Sequence, residues 1–430
     1  MTTLTPIASF GRRSAPLHDV KMLGGHFSLP TFAAPMLAYG AGKSYGDVCL
    51  NPRNTLLLTR GLDRFLAFDE NTGILRCEPG VLLADILETL GPRGWTLPVV
   101  PGTALITVGG AIANDVHGKS HHLHGTFGRH VERFQLRRSN GETLSCSRDE
   151  NPELFAATIG GLGLTGLIAE AELRLIPSPG QFLEAENLPF HSLDEFFALS
   201  KASADWAYTV SWIDCAAPSV RGLFMRGNPT RQVDRAPRAS RLSVPFTPPF
   251  SLIGKATVAP FNALYFALGK RQASRHLVHY RPFFFPLDAV GDWNRLYGKA
   301  GFYQYQSVVP WAGAEAAIAQ MLHEIAAAGE GSPLAVLKTF GDAPSPGLLS
   351  FPMPGVTLAL DFPDRGEQTR RLFARLDAIV REAKGRLYPA KDARMPPEMF
   401  DLGYHDALAR FLPHRDPGFS SAFSRRLLGK

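Results

Sequence analysis

The sequence predicts an α+β fold that is divided into at least two domains. The chain has 430 residues, which is more than one ordinary hydrophobic core accommodates. From residue 54 onward, short β-rich runs joined by tight turns alternate with helical stretches. Pro177 and the following "SPG" interrupt this pattern and predict a domain boundary near residue 178.

The elements up to that boundary follow from local patterns. The runs "TLLLT", "RFLAFD" and "GILRCEPG" predict three strands, and "VLLADILETL" has helical spacing. In "RFQLRRSNGETLSCS" the pair Asn140-Gly141 predicts a hairpin, and "NPELFAATIGG" predicts a helix. The run "LIAEAELRLIP" alternates, with Ala171 and Leu173 on one face and Glu170 on the other, so it predicts a half-buried strand that ends at Pro177.

Composition and charge restrict the class of protein. A hydrophobic fraction of 45% with 41 glycines and 34 prolines is typical of a soluble, loop-rich enzyme. The net charge of +6 suits an anionic ligand or an anionic membrane surface, but it is too diffuse to indicate nucleic acid binding. The four cysteines form no CxxC pair, and the N-terminus lacks the apolar core of a signal peptide, so we expect a cytoplasmic protein.

One apolar segment, residues 242–269, allows two interpretations. It is aromatic, but four prolines and Lys255 break it, so it cannot form a membrane-spanning helix. It is either a long surface loop that packs on the domain beneath or a basic-rimmed patch that contacts a membrane or a lipid-linked substrate. The flanking arginines are Arg226, Arg231, Arg235, Arg238, Arg241, Arg271, Arg275 and Arg281.

Two glycine motifs resemble nucleotide-binding loops without matching them. "GAGKS" would need a glycine five positions before Gly42 to be a nucleotide triphosphate loop, and Leu37 stands there. Its glycine-rich turn can still wrap a pyrophosphate. "GLGLTG" matches the dinucleotide motif, but a predicted helix precedes it and a strand follows, which is the reverse of the required order. These glycines therefore predict a tight turn with close packing.

Five histidines cluster in residues 117–130. A metal site would need two of them on one helical face with a further ligand, but Gly118, Gly125 and Gly128 disfavour a stable helix. We therefore expect no metal, and most of these rings are expected to face solvent or to form structural hydrogen bonds. The five are His117, His121, His122, His124 and His130.

Several segments resemble flavoenzymes of the vanillyl-alcohol-oxidase type. "YGAGKSYGD", "PVVPGTALITVGGAIANDVHGKSHH" and "GGLGLTGLIAEAELRLIP" are similar to their FAD domain. "YRPFFFPLDAVGDWNRLYGKAGFYQYQSVVP", "VLKTFG", "LDFP" and "GRLYPAKDAR" resemble, in the same order, the branch that oxidises polyprenylphosphoryl ribose. The resemblance spans residues 30–430. It implies an FAD-binding domain at 1–177, with 386–430 returning to it, and a substrate-binding domain at 178–385 built on an antiparallel sheet.

The resemblance also implies roles for individual residues. The first pyrophosphate loop would be Gly40, Ala41, Gly42, Lys43, Ser44, Tyr45, Gly46 and Asp47, and the second Gly102, Thr107, Val108, Gly109 and Gly110. Asn114, Asp115, Val116 and His117 would run beside the flavin, and Ile168 and Tyr388 would close its pocket. Gln304, Gln306, Lys338 and Lys391 would line the substrate side.

The chemistry of a secondary alcohol oxidation fits these residue types. A hydride goes to the flavin while the hydroxyl proton leaves to a base. A lysine serves as that base only if burial or a nearby cation lowers its pKa; Lys391 is the first candidate and His117 the second. Gln304 and Gln306 alternate along "FYQYQSVV" and share one face, which either contacts sugar hydroxyls or is an exposed sheet face. Lys338 is a candidate for contact with a phosphate.

This chain departs from the resembled enzymes at two positions. Many tether FAD through a histidine in the first loop, where this chain has Lys43, so we expect dissociable FAD. Some members of the branch carry a cysteine on the "LALDFP" strand, where this chain has Ala359, so no thiol chemistry is assigned there.

The resemblance implies FAD-dependent oxidation of the 2′-hydroxyl of a polyprenylphosphoryl ribose to a keto sugar. A partner short-chain reductase would complete an epimerisation to the arabinose form, and the enzyme would contact the inner membrane peripherally. Two alternatives stay open: oxidation of a soluble sugar, alditol or aldonolactone by the same fold, and a histidine-rich metal-binding module of a different class.

Overall fold

The computed structural model describes residues 4–24, 35–217, 219–237 and 242–429. Nineteen strands in this part of the chain form four sheets, which are accompanied by eleven α-helices. The first sheet has the order β1-β2-β4-β3, and β4 runs parallel to both β2 and β3. Of its strands, the sequence predicts only β4. They are β1 (Leu4–Pro6), β2 (Leu17–Gly24), β3 (Met36–Tyr39) and β4 (Thr55–Gly61).

The second sheet and its helices confirm the other elements predicted up to residue 177. Its five strands pair antiparallel in the order β5-β6-β10-β8-β9, and β7 pairs with β11 beside it. The β8–β9 hairpin turns at Gly141, whose φ of 87° requires glycine. In chain order this region contains β5 (Phe65–Asp69), β6 (Ile74–Cys77), α1 (Leu83–Leu90), β7 (Trp95–Thr96), α2 (Val108–Ala113), α3 (His121–His124), β8 (Val131–Arg137), β9 (Thr143–Ser147), α4 (Pro152–Thr158), β10 (Leu167–Arg174) and β11 (Ile176–Pro177).

Besides these three sheets, counting the β7–β11 pair as one, a fourth sheet is antiparallel and has eight strands. Their order is β15-β12-β14-β13-β17-β18-β16-β19. The elements are β12 (Phe182–Phe190), α5 (Leu193–Ala202), β13 (Tyr208–Ile213), β14 (Gly222–Thr230), α6 (Lys255–Lys270), β15 (His276–His279), α7 (Tyr280–Phe284), β16 (Phe302–Pro310), α8 (Ala314–Ala327), β17 (Ala335–Phe340), β18 (Gly355–Pro363), α9 (Glu367–Glu382), β19 (Arg386–Leu387), α10 (Pro397–Phe411) and α11 (Ala422–Leu428). The fold is therefore of mixed helices and largely antiparallel sheets, as the sequence predicts.

Alternation along β16 gives this sheet one apolar and one polar face. Tyr303 and Tyr305 pack on Phe373 of α9 at ring-centroid distances of 5.3 Å. Gln304 and Gln306 therefore lie on the opposite face. Register places Asp361 directly across from Gln304 on β18, so polar side chains collect on the face that α9 does not cover.

The prediction of a surface loop over residues 242–269 is wrong for its second half, where α6 spans Lys255–Lys270. Three of the four prolines in residues 242–269 precede the helix. The fourth, Pro260, removes only one intrahelical hydrogen bond near the beginning of α6. The Thr257 hydroxyl accepts from Gly254 N at 3.1 Å, which caps the helix. Arg238 and Arg241 lie outside the described residues. None of the described helices is long and apolar enough to cross a membrane.

Candidate active site

A cavity of about 540 Å³ lies between the glycine-rich loops and the polar face of the eight-stranded sheet. Most of the residues that the sequence singles out for cofactor or substrate contact line it, although they come from distant parts of the chain. They are Gly40, Ala41, Gly42, Lys43, Ser44, Tyr45, Gly102, Thr107, Gly109, Gly110, Asn114, Val116, His117, Ile168, Gln304, Gln306, Lys338, Tyr388 and Lys391.

Two residues of the first loop support the cavity without lining it. A Cβ on Gly46 would clash with the backbone carbonyl of Asp392, so only glycine permits this close approach. Asp47 pairs with Arg426 of α11 at 2.9 Å, and Arg426 also pairs with Asp392 at 2.8 Å. The first loop, the turn that carries Lys391 and the final helix are therefore held together.

Two residues of the second segment are also structural. Val108 is fully buried in the core of the second sheet. Asp115 is fully buried with a φ of 39°, and it accepts hydrogen bonds from Gly128 N at 2.7 Å and from the Ser350 hydroxyl at 2.5 Å. Burial raises the pKa of this carboxyl, and the hydrogen bonds oppose that shift. Asp115 thus anchors the segment that presents Asn114 and His117 to the cavity.

The loops leave polar groups and space that a ligand would fill. The backbone N–H groups of residues 41–44 donate no hydrogen bond to any described residue, and Gly42 has a φ of 62°. A Cβ on Gly102 would meet no atom within 4 Å. Asn114 donates to Gly110 O at 2.8 Å, but its buried Oδ1 has no partner among the described residues. Free amides beside open space fit a diphosphate and an aromatic ring system.

His117 lines the cavity where the segment that follows α2 meets the polar face of the eight-stranded sheet. Its Nε2 is 3.1 Å from Gln306 Nε2, and its Nδ1 is 3.2 Å from Lys338 Nζ. Burial, and then the charge of Lys338, lower its pKa well below the usual value. His117 is therefore a neutral imidazole at physiological pH.

Lys391 stands in the turn after β19, with Nζ 4.0 Å from the centroid of the Tyr45 ring. Burial lowers its pKa, and the charge of Asp361 opposes that shift. A lysine with a lowered pKa can accept a proton, which is the property required of a base. Tyr388 begins the same turn, and its hydroxyl donates to Asn114 O at 3.0 Å.

Asp361 is a site residue that the sequence analysis missed. It is fully buried on β18, and its Oδ1 accepts from Gln304 Nε2 at 2.6 Å. Burial raises its pKa, and Gln304, the charge of Lys391 and the Tyr297 hydroxyl oppose that shift. The only sequence clue is an acidic residue inside the apolar run "LALDFP". Asp361 lines the same cavity as Lys391, and its charge raises the pKa of that lysine.

Lysines give this end of the cavity a positive character. Burial, then Lys119 and Lys391, lower the pKa of Lys338 to about 7. Burial lowers the pKa of Lys119 to about 8, and Lys119 also donates to Phe283 O at 2.8 Å. Lysines with a lowered pKa in one cavity form a suitable anion-binding site, because a bound anion stabilises their charged form.

Comparisons with known proteins show the family to which the chain belongs. A family model described as an FAD binding domain matches residues 30–147. The decaprenylphosphoryl-β-D-ribose oxidase of Mycolicibacterium smegmatis is 35% identical over 91% of this chain and 89% of that protein. The chain belongs to the decaprenylphosphoryl-β-D-ribose oxidase family. It is an FAD-dependent oxidoreductase, and FAD is its cofactor.

Two further relatives match this chain over very different lengths. A Streptomyces coelicolor protein named "uncharacterized protein in mprA 5′region" is 31% identical over 81% of this chain and 100% of that protein. The L-gulonolactone oxidase of Scyliorhinus torazame is 29% identical over only 32% of this chain and 31% of that protein. The match to the decaprenylphosphoryl-β-D-ribose oxidase thus covers far more of the chain than the match to the lactone oxidase.

In this member of the decaprenylphosphoryl-β-D-ribose oxidase family, the glycine turn "GLGLTG" follows α4 and precedes β10, which confirms the predicted order. A Cβ on Gly161 would clash with Ala157 O, so the turn is indeed closely packed. Leu162, Gly163 and Gly166 of the same turn also line the cavity, a role that the sequence analysis did not assign.

The cavity has an apolar arm that the sequence analysis also missed. It extends from Lys338 toward α6 over the adjacent strands β13, β14 and β17, where Val210 pairs with Met225 and Trp212 with Val336. Its members are Val210, Trp212, Met225, Tyr265, Leu334 and Val336. Alternation in "YTVSWI" would have indicated a strand, but no pattern in the sequence joins it to α6.

The remaining histidines of the cluster are structural. A single helical turn, α3, holds "HHLH" and ends at Gly125 with a φ of 69°. His122 Nε2 is 2.7 Å from Trp206 O, and His130 Nε2 is 3.0 Å from His124 O. His121 is buried against Phe340 at 4.3 Å, and neither ring nitrogen has a partner among the described residues. In the described ranges no three side chains are grouped so that they could hold a metal ion.

Proposed function

We propose that this chain catalyses the FAD-dependent oxidation of the 2′-hydroxyl of a polyprenylphosphoryl-β-D-ribose to the 2′-keto sugar. This step is the first half of an epimerisation to the arabinose form. The observation that carries the proposal is the similarity to a decaprenylphosphoryl-β-D-ribose oxidase over 91% of the chain. That similarity extends well beyond the FAD binding match at residues 30–147, so it includes much of the eight-stranded sheet.

Bound FAD supplies the hydride acceptor in this reaction. Lys391 accepts the proton of the 2′-hydroxyl, since its lowered pKa leaves a fraction of the amine neutral. Tyr45 holds the amine by contact with its ring. His117 is the second candidate for the base, but Gln306 and Lys338 already contact its two nitrogens.

Three side chains bind the ribose phosphate in this proposal. Gln306 is oriented by Thr357, whose hydroxyl accepts from its amide at 3.2 Å, and Gln304 is oriented by Asp361. Their remaining amide groups contact sugar hydroxyls. Lys338 binds the phosphate, because an anion would stabilise its charged form.

The glycine loops hold FAD without a covalent bond, since Lys43 stands where many flavoenzymes of this type have a tethering histidine. Residues 1–177 with 386–430 form the FAD-binding domain, and 178–385 form the substrate-binding domain.

The apolar arm takes the first isoprene units of the lipid. The protein works in the cytoplasm in peripheral contact with the inner membrane, and a short-chain reductase consumes the keto product.

An anaerobic experiment tests the substrate. The holoenzyme is mixed with polyprenylphosphoryl ribose or with free ribose, and flavin absorbance is recorded over time. We expect rapid bleaching with the lipid-linked sugar and none with ribose. Equal bleaching by a soluble sugar, alditol or aldonolactone would favour the alternative activity. The observation that supports this alternative is the similarity to an L-gulonolactone oxidase over 32% of the chain.

A further inference from the structure

Helix α6 exposes an apolar face to solvent. Phe261, Leu264, Tyr265 and Leu268 are between 38% and 59% exposed and follow the i, i+3, i+4, i+7 spacing of a single face. The residues of α6 that are buried are Val258, Asn262 and Phe266. Large apolar side chains grouped on one exposed face are characteristic of an interaction surface rather than of an ordinary surface helix.

The chain segment that contains this face carries only positive charges. The sequence has no aspartate or glutamate between Asp234 and Asp288, whereas the same stretch contains eight lysines and arginines. Lys255 begins α6, and Lys270 and Arg271 end it. All three are exposed, and none forms an ion pair with a described residue. By contrast, Arg275 pairs with Glu186 and Arg281 pairs with Glu88. An apolar helix face with unpaired cations at both ends matches an anionic interface.

The same helix borders the cavity. Tyr265 lines the apolar arm, and its ring lies 4.9 Å from that of Trp212 on β13. Because Tyr265 is also 38% exposed, it belongs both to the cavity lining and to the exposed face of α6. A lipid held along this helix would therefore lie next to the cavity.

We propose that the exposed face of α6 docks in the headgroup region of an anionic lipid bilayer. A second copy of this chain is a poorer occupant, because twofold pairing of the helices would bring their cations close together. Anionic headgroups neutralise those cations while acyl chains cover Phe261, Leu264 and Leu268. The proposal rests on the proposed function only in making the docked lipid the source of the substrate; the docking itself needs no turnover.

Co-sedimentation of the holoenzyme with lipid vesicles that contain no substrate tests this proposal. Vesicles of mixed phosphatidylcholine and phosphatidylglycerol are compared with phosphatidylcholine alone. The test variant is Leu264→Glu/Leu268→Glu, since neither side chain lines the cavity. The control is Leu402→Glu on α10, because Leu402 is 49% exposed, the same as Leu268. Flavin absorbance and melting temperature verify that each variant is folded.

We expect the wild type to bind the anionic vesicles and added salt to weaken binding. The double variant should lose at least about tenfold of its partitioning, because binding scales with buried apolar area, and Leu402→Glu should lose none. Wild-type protein that stays in solution, or equal losses in both variants, would overturn the proposal. The proposal would also be overturned if the wild type were a dimer and the double variant a monomer, because a second copy of the chain would then cover this face. Docking without oxidation of the lipid-linked ribose would leave this proposal standing and reject the proposed function instead.

Discussion

Lys338 Nζ lies 3.2 Å from His117 Nδ1, and burial, the largest cause for both groups, lowers the pKa of each side chain. Gln306 donates one amide hydrogen to Thr357 and directs the other at His117 Nε2, so Nε2 is the accepting nitrogen. The ring proton is then on Nδ1. The Nδ1–H group can donate a hydrogen bond to the Lys338 amine only when that amine is neutral. The lowered pKa of Lys338, about 7, agrees with this arrangement.

Anion affinity should therefore fall as pH rises through about 7. A lysine is charged below its pKa, and the phosphodiester of the proposed substrate carries a constant negative charge across this range. Above about pH 7 the free enzyme must take up a proton at Lys338 to form the ion pair, which weakens binding. Substrate titrations that follow the flavin spectrum at several pH values measure this dependence.

The matched variant is Lys338→Met, which keeps the length of the side chain and removes its titration. We expect weaker binding at low pH and a flatter pH profile than in the wild type. An unchanged profile in this variant would show that another group binds the phosphate.

Removal of Lys391 should abolish most of the reductive reaction. General base catalysis typically contributes about 10²–10⁴-fold, so Lys391→Ala should slow anaerobic flavin bleaching by about that factor. Lys299→Ala is the control, since Lys299 is exposed and lies outside the cavity lining. Bleaching of Lys391→Ala at the wild-type rate would exclude this lysine as the base.

Asp361→Asn should move the pH profile of bleaching to lower pH. The base must be neutral, so the rate rises with pH and levels off above the pKa of Lys391. The negative charge of Asp361 raises that pKa, and an uncharged asparagine lets it fall further. Because the amide can still accept from Gln304, a purely structural role would leave the profile in place. A shift to higher pH would contradict the coupling.

The sequence predicted the elements whose cause is local. Asn140-Gly141 suffices for a hairpin, and the apolar spacing of "VLLADILETL" suffices for α1. The sequence analysis missed helix α6 because it treated each proline as a helix breaker. Pro260 removes only one intrahelical hydrogen bond of α6. Asp361 was missed for another reason: its partner Gln304 is 57 residues away, and only the β16–β18 register brings them together.

Two glycines of the cofactor loops should respond to alanine in opposite ways. A Cβ on Gly46 would clash with the backbone of Asp392, so Gly46→Ala should destabilise the apoprotein by roughly 1–3 kcal/mol, the usual cost of overpacking. A Cβ on Gly102 meets nothing within 4 Å, so Gly102→Ala should leave the apoprotein as stable as the wild type. Gly102 nevertheless lines the cavity, and there the new methyl group would occupy space that we assign to FAD. Thermal melts of the apoproteins and FAD titrations separate the two effects. If Gly102→Ala bound FAD as tightly as the wild type, that space would not belong to the cofactor.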